Sequence, residues 1–248
     1  MPGTNRLAAY SMMMASVLVG GGSLVLFGAF LAVGPFAPFR FHASQGQVLL
    51  WDGFLSLLFF IQHSGMVRKS SRIRLARILA SPYHPSAYSI ASGIALATLV
   101  ILWQPTQTVL YKVEGPVRLL FAGAFLLAVL GFYRGVQALG NFDTFGLDPI
   151  RAYLKGSTLE PSGFRVRGPY FWVRHPLYFF MLVLIWSSFH VTSDRLLFSV
   201  TWTLWVVLST YLEEKDLVAD FGDAYRRYQR TVPMLLPCKG PVGRAVGE

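Results

Sequence analysis

The chain carries RVRGPYFWVRHPLY at residues 165–178 and LEEKDLVADFGDAYRRYQRTVP at residues 212–233. Two apolar runs separate these polar motifs, and two consecutive membrane spans return a chain to the side of the bilayer from which it started. The sequence therefore places both motifs at one face of a membrane. We look for the chemistry of the protein at that face.

The composition of the whole chain is that of a membrane protein. Of its 248 residues, 54% are hydrophobic and 14% are charged, a balance that soluble domains of this size rarely reach. Apolar segments that reach or approach the ~20 residues of a membrane-crossing helix lie at 11–33, 48–64, 88–103, 119–139, 177–189 and 196–212. We predict an all-α fold, a polytopic transmembrane helix bundle of about six spans. The short fifth and sixth segments are expected to extend into flanking aromatic residues or to pack as a hairpin.

The loop charges predict the orientation, because short cytoplasmic loops accumulate lysine and arginine. The loop after the second segment holds five cations and no acid, namely Arg68, Lys69, Arg72, Arg74 and Arg77. Counting spans alternately from this loop puts the N-terminus and the C-terminus on the same side as the loop. We therefore predict that both termini are cytoplasmic.

The net charge of +10 does not indicate a nucleic-acid partner. The cations border the apolar segments, and no basic domain interleaved with aromatic residues is present to dock a duplex. Membrane lipids with anionic headgroups are the expected counter-charge. His63 and His175 form no metal-ligand spacing with a cysteine or a carboxylate cluster, so we predict no bound metal. The sequence leaves the oligomeric state open.

Polar residues collect at the predicted cytoplasmic ends of four segments. They are His63 at the end of the second, Asp143 after the fourth, His175 at the start of the fifth, and Glu213 with Glu214 at the end of the sixth. Ionisable groups at membrane depth are costly and tend to face the interior of a bundle. The constellation predicts a site that opens to the cytoplasm.

The start of the fifth segment has the features of an anion site. Pro176 suits the first position of a helix, so the backbone donors of Leu177 and Tyr178 are expected to be available to a carboxylate or a phosphate. Arg174 adds a positive charge, and the two glutamates offer acceptors for an ammonium group or ribose hydroxyls. Taken singly, these motifs also suit interfacial anchoring or a solvated helix face. Their combination favours a ligand with one anionic and one cationic end.

A family resemblance follows from these residues. GPYFWVRHPLY at 168–178, the apolar hairpin, and EEKDLVADFGDAYRRYQRTVPMLLP at 213–237 resemble the C-terminal signature of the integral-membrane methyltransferases. That superfamily includes the isoprenylcysteine carboxyl methyltransferases and the phospholipid methyltransferases. FIQHS at 60–64 and NFDTFGL at 141–147 are similar to the branch that contains the bacterial methanethiol S-methyltransferases. The resemblance thereby extends over about residues 55–237.

The resemblance implies that S-adenosyl-L-methionine is the cofactor, held at the cytoplasmic face of a bacterial inner membrane. The implied cofactor-binding residues are Tyr170, Arg174, His175, Leu177, Tyr178, Glu213, Glu214 and Tyr225. The start of the fifth segment is expected to take the cofactor carboxylate, and one of the glutamates is expected to take the ribose or the ammonium. Tyr170 and Tyr225 are expected to pack against the adenine or against the sulfonium. Contact with the sulfonium would be a cation–π interaction.

The implied reaction assigns the catalytic residues. A thiol acceptor must lose its proton, since the thiolate is the nucleophile. His63 is the expected general base, with Asp143 as its orienter or as a second polar contact. The leading prediction is methylation of a small thiol such as methanethiol, which gives dimethyl sulfide. The alternatives are methylation of a lipid-borne acceptor, either an isoprenylcysteine carboxylate or an aminophospholipid, and a non-catalytic membrane sensor or assembly factor.

The predicted organisation is a single integral-membrane domain over residues 1–248. Residues 1–139 form four N-terminal spans, and residues 140–237 form the cofactor-binding loop, a helical hairpin and a C-terminal amphipathic helix. Within that last helix, apolar and aromatic side chains recur at helical spacing and predict a stripe against the membrane or the bundle. The stripe consists of Leu217, Phe221, Tyr225 and Tyr228.

The orientation can be tested with reporter fusions. Reporters fused after Arg77 or after Val232 should report the cytoplasm, and a reporter fused near Glu114 should report the outside, because the spans between these points are odd in number. Alkaline phosphatase and green fluorescent protein fusions measure the two sides. A cytoplasmic signal at Glu114 would contradict the assignment of the polar motifs to one face.

Overall fold

The computed structural model describes residues 4–140, 142–159 and 163–241. Asn141, the first residue of NFDTFGL, lies outside the described residues. The chain forms two compact units that alternate along the sequence. Unit 1 comprises Met1–Thr108, Asp143–Pro161 and Thr192–Phe198, and unit 2 comprises Val109–Phe142, Ser162–Val191 and Ser199–Glu248.

Helices dominate the described part of the chain. In order, the elements are α1 (Thr4–Ala15), α2 (Gly22–Val33), α3 (Gln45–Val67), α4 (Lys69–Leu75), α5 (His84–Leu102), β1 (Val109–Lys112), α6 (Val117–Ala138), α7 (Leu147–Lys155), α8 (Pro176–Trp186), β2 (His190–Thr192) and α9 (Ser193–Thr231). A π-helical stretch, Ser16–Gly21, joins α1 to α2. The two short strands pair with each other.

The prediction of a polytopic helical membrane protein is confirmed. Among the described residues, five helical segments are long and apolar enough to cross a membrane, namely Arg6–Val33, Gln45–Val67, Ser81–Leu102, Val117–Ala138 and Ser193–Thr231. The predicted fifth segment is different, because α8 has 11 residues. At 1.5 Å per residue, a helix of that length reaches across only about half of the hydrocarbon core.

The helix that contains the sixth apolar segment extends beyond it. Helix α9 passes through the two glutamates and ends at Thr231. Non-helical geometry at Gly222, where φ is 56° and ψ is −129°, divides it into two helical stretches, and side chains with a Cβ avoid this conformation. The apolar segment at 196–212 marks only the part of α9 that suits the membrane interior. The charged residues that follow are good helix formers and continue the helix.

Two buried acids of unit 1 hold the segment that follows α5. Asp52 accepts a hydrogen bond from the Gln104 backbone N–H at 3.0 Å. Asp194 Oδ1 accepts from the Thr106 backbone N–H at 2.9 Å and from the Thr106 hydroxyl at 2.7 Å, and Asp194 Oδ2 accepts from Trp103 Nε1 at 3.2 Å. The segment gains polar partners for its backbone in an otherwise apolar environment.

Helices α6 and α8 of unit 2 approach each other closely at two glycines of α6. A Cβ at Gly135 would lie 2.7 Å from Leu177 Cδ2, and a Cβ at Gly131 would overlap the Phe180 ring. Small residues permit this approach between membrane helices. The contact fixes the first turns of α8, where the motif at 165–178 ends.

We predict that Gly131→Val destabilises the protein, because the added methyl groups meet the Phe180 ring. Overpacking of this kind costs about 1–3 kcal/mol and should lower the unfolding midpoint in detergent by several degrees. Gly123→Val is the matched control, since a Cβ at Gly123 meets no atom within 4 Å. Equal midpoints for the two variants, measured by intrinsic tryptophan fluorescence, would show that the α6–α8 approach is not tight.

Candidate functional site in unit 2

Helix α8 begins where the sequence predicts. His175 is its N-cap residue and Pro176 its first residue, and the Phe179 N–H donates to the His175 carbonyl at 3.0 Å. Pro176 costs the helix no hydrogen bond, since a donor at that position would have no partner within the helix. The chain therefore leaves the RVRGPYFWV stretch and enters the helix at RHP.

The backbone of RHP pairs with the VP motif near the end of the described chain. The Arg174 N–H donates to the Pro233 carbonyl at 2.9 Å, and the His175 N–H donates to the Met234 carbonyl at 3.1 Å. These bonds satisfy two donors immediately before the helix. The backbone around the VP motif thus holds the residues that precede α8.

Glu214 is the centre of a hydrogen-bond network that joins the motifs. Arg174 donates to both carboxylate oxygens, from Nε at 2.6 Å and from Nη2 at 3.0 Å. Oε1 also lies 3.2 Å from His175 Nε2 and 3.3 Å from the Tyr225 hydroxyl, and Oε2 accepts from Gln229 Nε2 at 3.0 Å. A carboxylate has about four lone-pair sites. Five donors therefore occupy the acceptor capacity of Glu214.

The Arg174 guanidinium also has several hydrogen-bond partners within the protein. Besides the two bonds to Glu214, its Nη1 donates to the Gln229 carbonyl at 2.9 Å and to the Val232 carbonyl. The side chains of Arg174 and Glu214 are only 9% and 10% exposed. Bidentate arginine–carboxylate pairs of this kind are both strong and directional. In this structure Arg174 connects α8, α9 and the VP motif.

Glu213 differs from its neighbour in both exposure and partners. Its side chain is 44% exposed, and its Oε2 accepts from the Tyr178 hydroxyl at 2.8 Å. His175 Nδ1 lies 3.9 Å from the same oxygen, and the His175 ring stacks on the Tyr178 ring at a centroid distance of 5.6 Å. Glu213 therefore offers a carboxylate that solvent reaches, beside the start of α8.

The predicted apolar stripe is confirmed and packs against the rest of unit 2. Its centre is a buried cluster of Val166, Tyr225, Tyr228 and Val232, against which Leu217 and Phe221 also pack. Tyr225 is 2% exposed, so it contributes its hydroxyl to Glu214 from the protein interior.

Tyr170 connects this cluster to the exposed glutamate. The Tyr228 hydroxyl donates to the Tyr170 carbonyl at 2.6 Å, which fixes the backbone before α8. Burial raises the pKa of the Tyr170 phenol, and the charge of Glu213 raises it further. The phenol is therefore protonated and remains a hydrogen-bond donor at neutral pH.

The two predicted catalytic residues belong to unit 1. The Tyr88 hydroxyl lies 3.1 Å from His63 Nδ1 and 3.0 Å from His63 Nε2. Asp143 Oδ2 accepts from the Asp148 backbone N–H at 2.7 Å, near the start of α7. Within the described residues, His63 and Asp143 therefore have different hydrogen-bond partners.

The structure brings seven of the predicted cofactor residues into one network or its immediate surroundings in unit 2. The eighth, Leu177, packs its side chain at Gly135 of α6, while the prediction for this residue concerns its backbone N–H. Gln229 was not predicted, although its spacing could have indicated it, because it follows Tyr225 by one helical turn. Tyr88 was not predicted either, because no sequence signal was available for it.

Comparisons with known proteins agree with the motifs. The family profile described as "NnrU protein" matches residues 50–237. Methanethiol S-methyltransferase 1 of Bradyrhizobium diazoefficiens is 31% identical over 80% of this chain and 70% of its own length. Methanethiol S-methyltransferase of Pseudomonas deceptionensis is 34% identical over 79% of this chain and 75% of its own length.

A more distant relative has a different name. Nurim of Rattus norvegicus is 27% identical over 68% of this chain and 68% of its own length. No solved structure is significantly similar to the chain. The resemblance to the methanethiol S-methyltransferase branch is confirmed by the bacterial relatives, and the profile match covers most of the sequence. The chain belongs to the NnrU protein family.

Proposed function

We propose that the protein is a membrane methyltransferase that uses S-adenosyl-L-methionine to methylate a small thiol such as methanethiol. The observation that carries this proposal is the exposed Glu213 carboxylate of α9, which lies beside the start of α8 next to the buried, fully hydrogen-bonded Arg174–Glu214 pair. The names of the bacterial relatives support the same reaction class. We propose the inner membrane as the location, with both termini and the cofactor site cytoplasmic. The five spanning helices among the described residues are odd in number, so this topology requires that α8 and the segment after it together complete a sixth crossing.

The residues in unit 2 fit the cofactor chemically. Glu213 provides an acceptor for an ammonium group or ribose hydroxyls, and the N-terminus of an 11-residue helix favours the cofactor's carboxylate. Tyr170 and Tyr178 add aromatic surface and hydroxyl groups next to Glu213. When bound, S-adenosyl-L-methionine supplies a methyl group on a sulfonium, which is the electrophile of the reaction.

The network divides the predicted binding residues into two groups. We assign direct contact with the cofactor to Glu213 and to the start of α8, including His175 and Tyr178. Arg174, Glu214 and Tyr225 instead hold that surface, because their polar atoms already bind one another. This assignment chooses between two adjacent glutamates that the sequence could not distinguish.

His63 of unit 1 remains our candidate for the general base. Proton removal from the thiol converts a weak nucleophile into a thiolate, and the protein then has to align the acceptor and exclude water. Asp143 bonds to the α7 backbone, so we propose it as a second polar contact that stabilises that segment.

We predict that substituting the two glutamates affects different properties, namely cofactor affinity for Glu213 and folding stability for Glu214. Glu213→Gln should leave the protein folded but weaken S-adenosyl-L-methionine binding about tenfold or more, since a hydrogen bond to a charged group contributes roughly 1.5–3 kcal/mol. Glu214→Gln should instead destabilise the protein by about 3–5 kcal/mol, because it leaves the buried Arg174 charge uncompensated. Calorimetry in detergent measures the affinity, and thermal unfolding measures the stability.

Both affinity and stability are measured for each variant, so that a loss of binding can be separated from a loss of folding. Wild-type affinity in Glu213→Gln would remove Glu213 from the cofactor site. Wild-type stability in Glu214→Gln would show that the Arg174–Glu214 pair does not organise the motifs.

The reaction itself is tested with purified protein in detergent and methyl-labelled S-adenosyl-L-methionine. We expect label to appear in dimethyl sulfide when methanethiol is the acceptor, and not in an isoprenylcysteine or an aminophospholipid. Label in a lipid-borne acceptor alone would contradict the choice of a small thiol. Cofactor binding with no labelled product from any of these acceptors would favour a non-catalytic sensor.

A further inference from the structure

A basic segment joins two membrane-spanning helices of unit 1. Residues 68–80 lie between the spans Gln45–Val67 and Ser81–Leu102, so both ends of the segment are at the same face of the membrane. The segment holds five cations, and the sequence has no acidic residue between Asp52 and Glu114. The acids nearest in sequence therefore lie beyond the two spans or deep within them, and the segment has no local counter-charge.

The segment begins with a break in the helical path. Arg68, which follows α3, has an extended backbone with φ −64° and ψ 144°. The Ser71 hydroxyl donates to the Gly65 carbonyl at 2.6 Å, which gives a partner to a carbonyl in the last turn of α3. Helix α4 is thus a separate helix rather than a continuation of the span.

Three arginines of the segment have no acidic partner. Among the described side chains, Arg68, Arg74 and Arg77 form no ion pair, and all three are exposed. The acids near the start of α7, in the same unit, are already engaged. Asp148 has an ion pair within α7, and Asp143 accepts from the Asp148 backbone N–H at 2.7 Å. The three guanidinium groups are therefore available to a partner outside the protein.

Two isoleucines among these arginines are also exposed. Ile73 is 65% exposed and Ile78 is 84% exposed. Water alone is an unfavourable environment for such side chains, because apolar surface gains free energy when it leaves water. Apolar groups interspersed with cations are typical of segments in the membrane interface, where the apolar groups enter the acyl boundary and the cations meet the headgroups. The isoleucines thus favour a lipid over a soluble anion as the partner.

An aromatic pair lies where the chain returns to the membrane. Tyr83 directly precedes α5, and its ring centroid is 6.1 Å from that of Tyr153 on α7. Tyr153 is 45% exposed. Tyrosine is enriched at the membrane–water interface because its ring is apolar and its hydroxyl is polar. The pair therefore indicates that this end of unit 1 lies in the headgroup layer.

We propose that the segment contains a docking surface for anionic phospholipids, which we name the basic lipid surface. It consists of Arg68, Ile73, Arg74, Arg77 and Ile78. The arginines bind the phosphate groups of the lipids through charge-assisted hydrogen bonds, and the isoleucines contact the upper part of the acyl chains. With the cytoplasmic orientation proposed above, these lipids belong to the inner leaflet. The inference does not depend on the methyltransferase activity.

Native mass spectrometry of the full-length protein tests the surface directly. The protein in detergent is mixed with equal amounts of dioleoylphosphatidylglycerol and dioleoylphosphatidylcholine, which differ in headgroup charge but have the same acyl chains. We expect the wild type to retain phosphatidylglycerol in preference. Ammonium acetate at about 1 M should weaken that preference, because it shortens the Debye length to about 3 Å.

Substitution of two arginines tests their part in the preference. Arg74→Gln with Arg77→Gln should lower the preference for phosphatidylglycerol at least tenfold, because each basic residue near an anionic surface contributes roughly fivefold, equivalent to 1 kcal/mol. Both side chains are exposed, so the variant should keep the wild-type unfolding midpoint. Arg74→Lys with Arg77→Lys retains the charge and should keep most of the preference.

The matched control removes the same charge elsewhere. Arg40→Gln with Lys112→Gln changes two exposed cations of the predicted outer loops and should leave the preference at the wild-type level. The apolar part of the surface is tested by Ile73→Ser with Ile78→Ser, which should lower retention of phosphatidylglycerol without changing the charge. Glycerophosphoglycerol, the headgroup without acyl chains, should displace little of the bound lipid.

Several results would overturn the inference. Equal retention of the two lipids by the wild type would show that the surface does not select anionic headgroups. Equal losses in the Arg74/Arg77 variant and in the Arg40/Lys112 control would show that only the net charge matters. Complete displacement by glycerophosphoglycerol would identify a site for a soluble anion instead. If the glutamine variant does not fold, the wild-type preference and the displacement experiment still decide the question.

Discussion

The C-terminal motifs depend on the ion pair between Arg174 and Glu214. Burying two charges is costly, and the cost is offset only when the pair has good geometry and its remaining donors and acceptors are satisfied. Both conditions hold here, since the pair is bidentate and His175, Tyr225, Gln229 and two backbone carbonyls complete the network. Residues from RHP, EE, YxxY and VP thereby meet at one buried point. The network thereby brings together motifs that lie apart along the chain.

The same pair gives the two adjacent glutamates different roles. Consecutive residues of an α-helix point about 100° apart, so when Glu214 faces the buried arginine, Glu213 faces another direction. Glu213 retains 44% of its side-chain exposure and hydrogen-bonds to the Tyr178 hydroxyl at the start of α8. One carboxylate of the two is therefore buried in the network, and the other stays exposed, where we propose that the ligand binds. A cofactor with an ammonium, a carboxylate and a ribose suits that exposed surface.

Several features could be predicted from the sequence because they depend on local chemistry. Pro176 at a helix start, the apolar stripe through Tyr225, and the membrane-spanning character of the helices follow from backbone geometry and periodicity. The roles of Glu213 and Glu214 could not be predicted, since they depend on which side chain reaches Arg174 in three dimensions. The bounds of α9 could not be read from the apolar segment, because charged residues continue the helix beyond it. Helix α8 is shorter than a span because apolarity does not fix where a short helix stops. Tyr88 lies 25 residues from His63 along the chain, and only the packing of α3 on α5 identifies it as a partner.

The most direct test of this account is an experimental structure of the protein bound to S-adenosyl-L-homocysteine, the demethylated form of the proposed cofactor. The account predicts that the ligand's ammonium or ribose contacts Glu213, that its carboxylate lies at the start of α8, and that the Arg174–Glu214 pair stays closed. A ligand carboxylate bound to Arg174, with Glu214 displaced from the guanidinium, would contradict the division of roles on which the account rests.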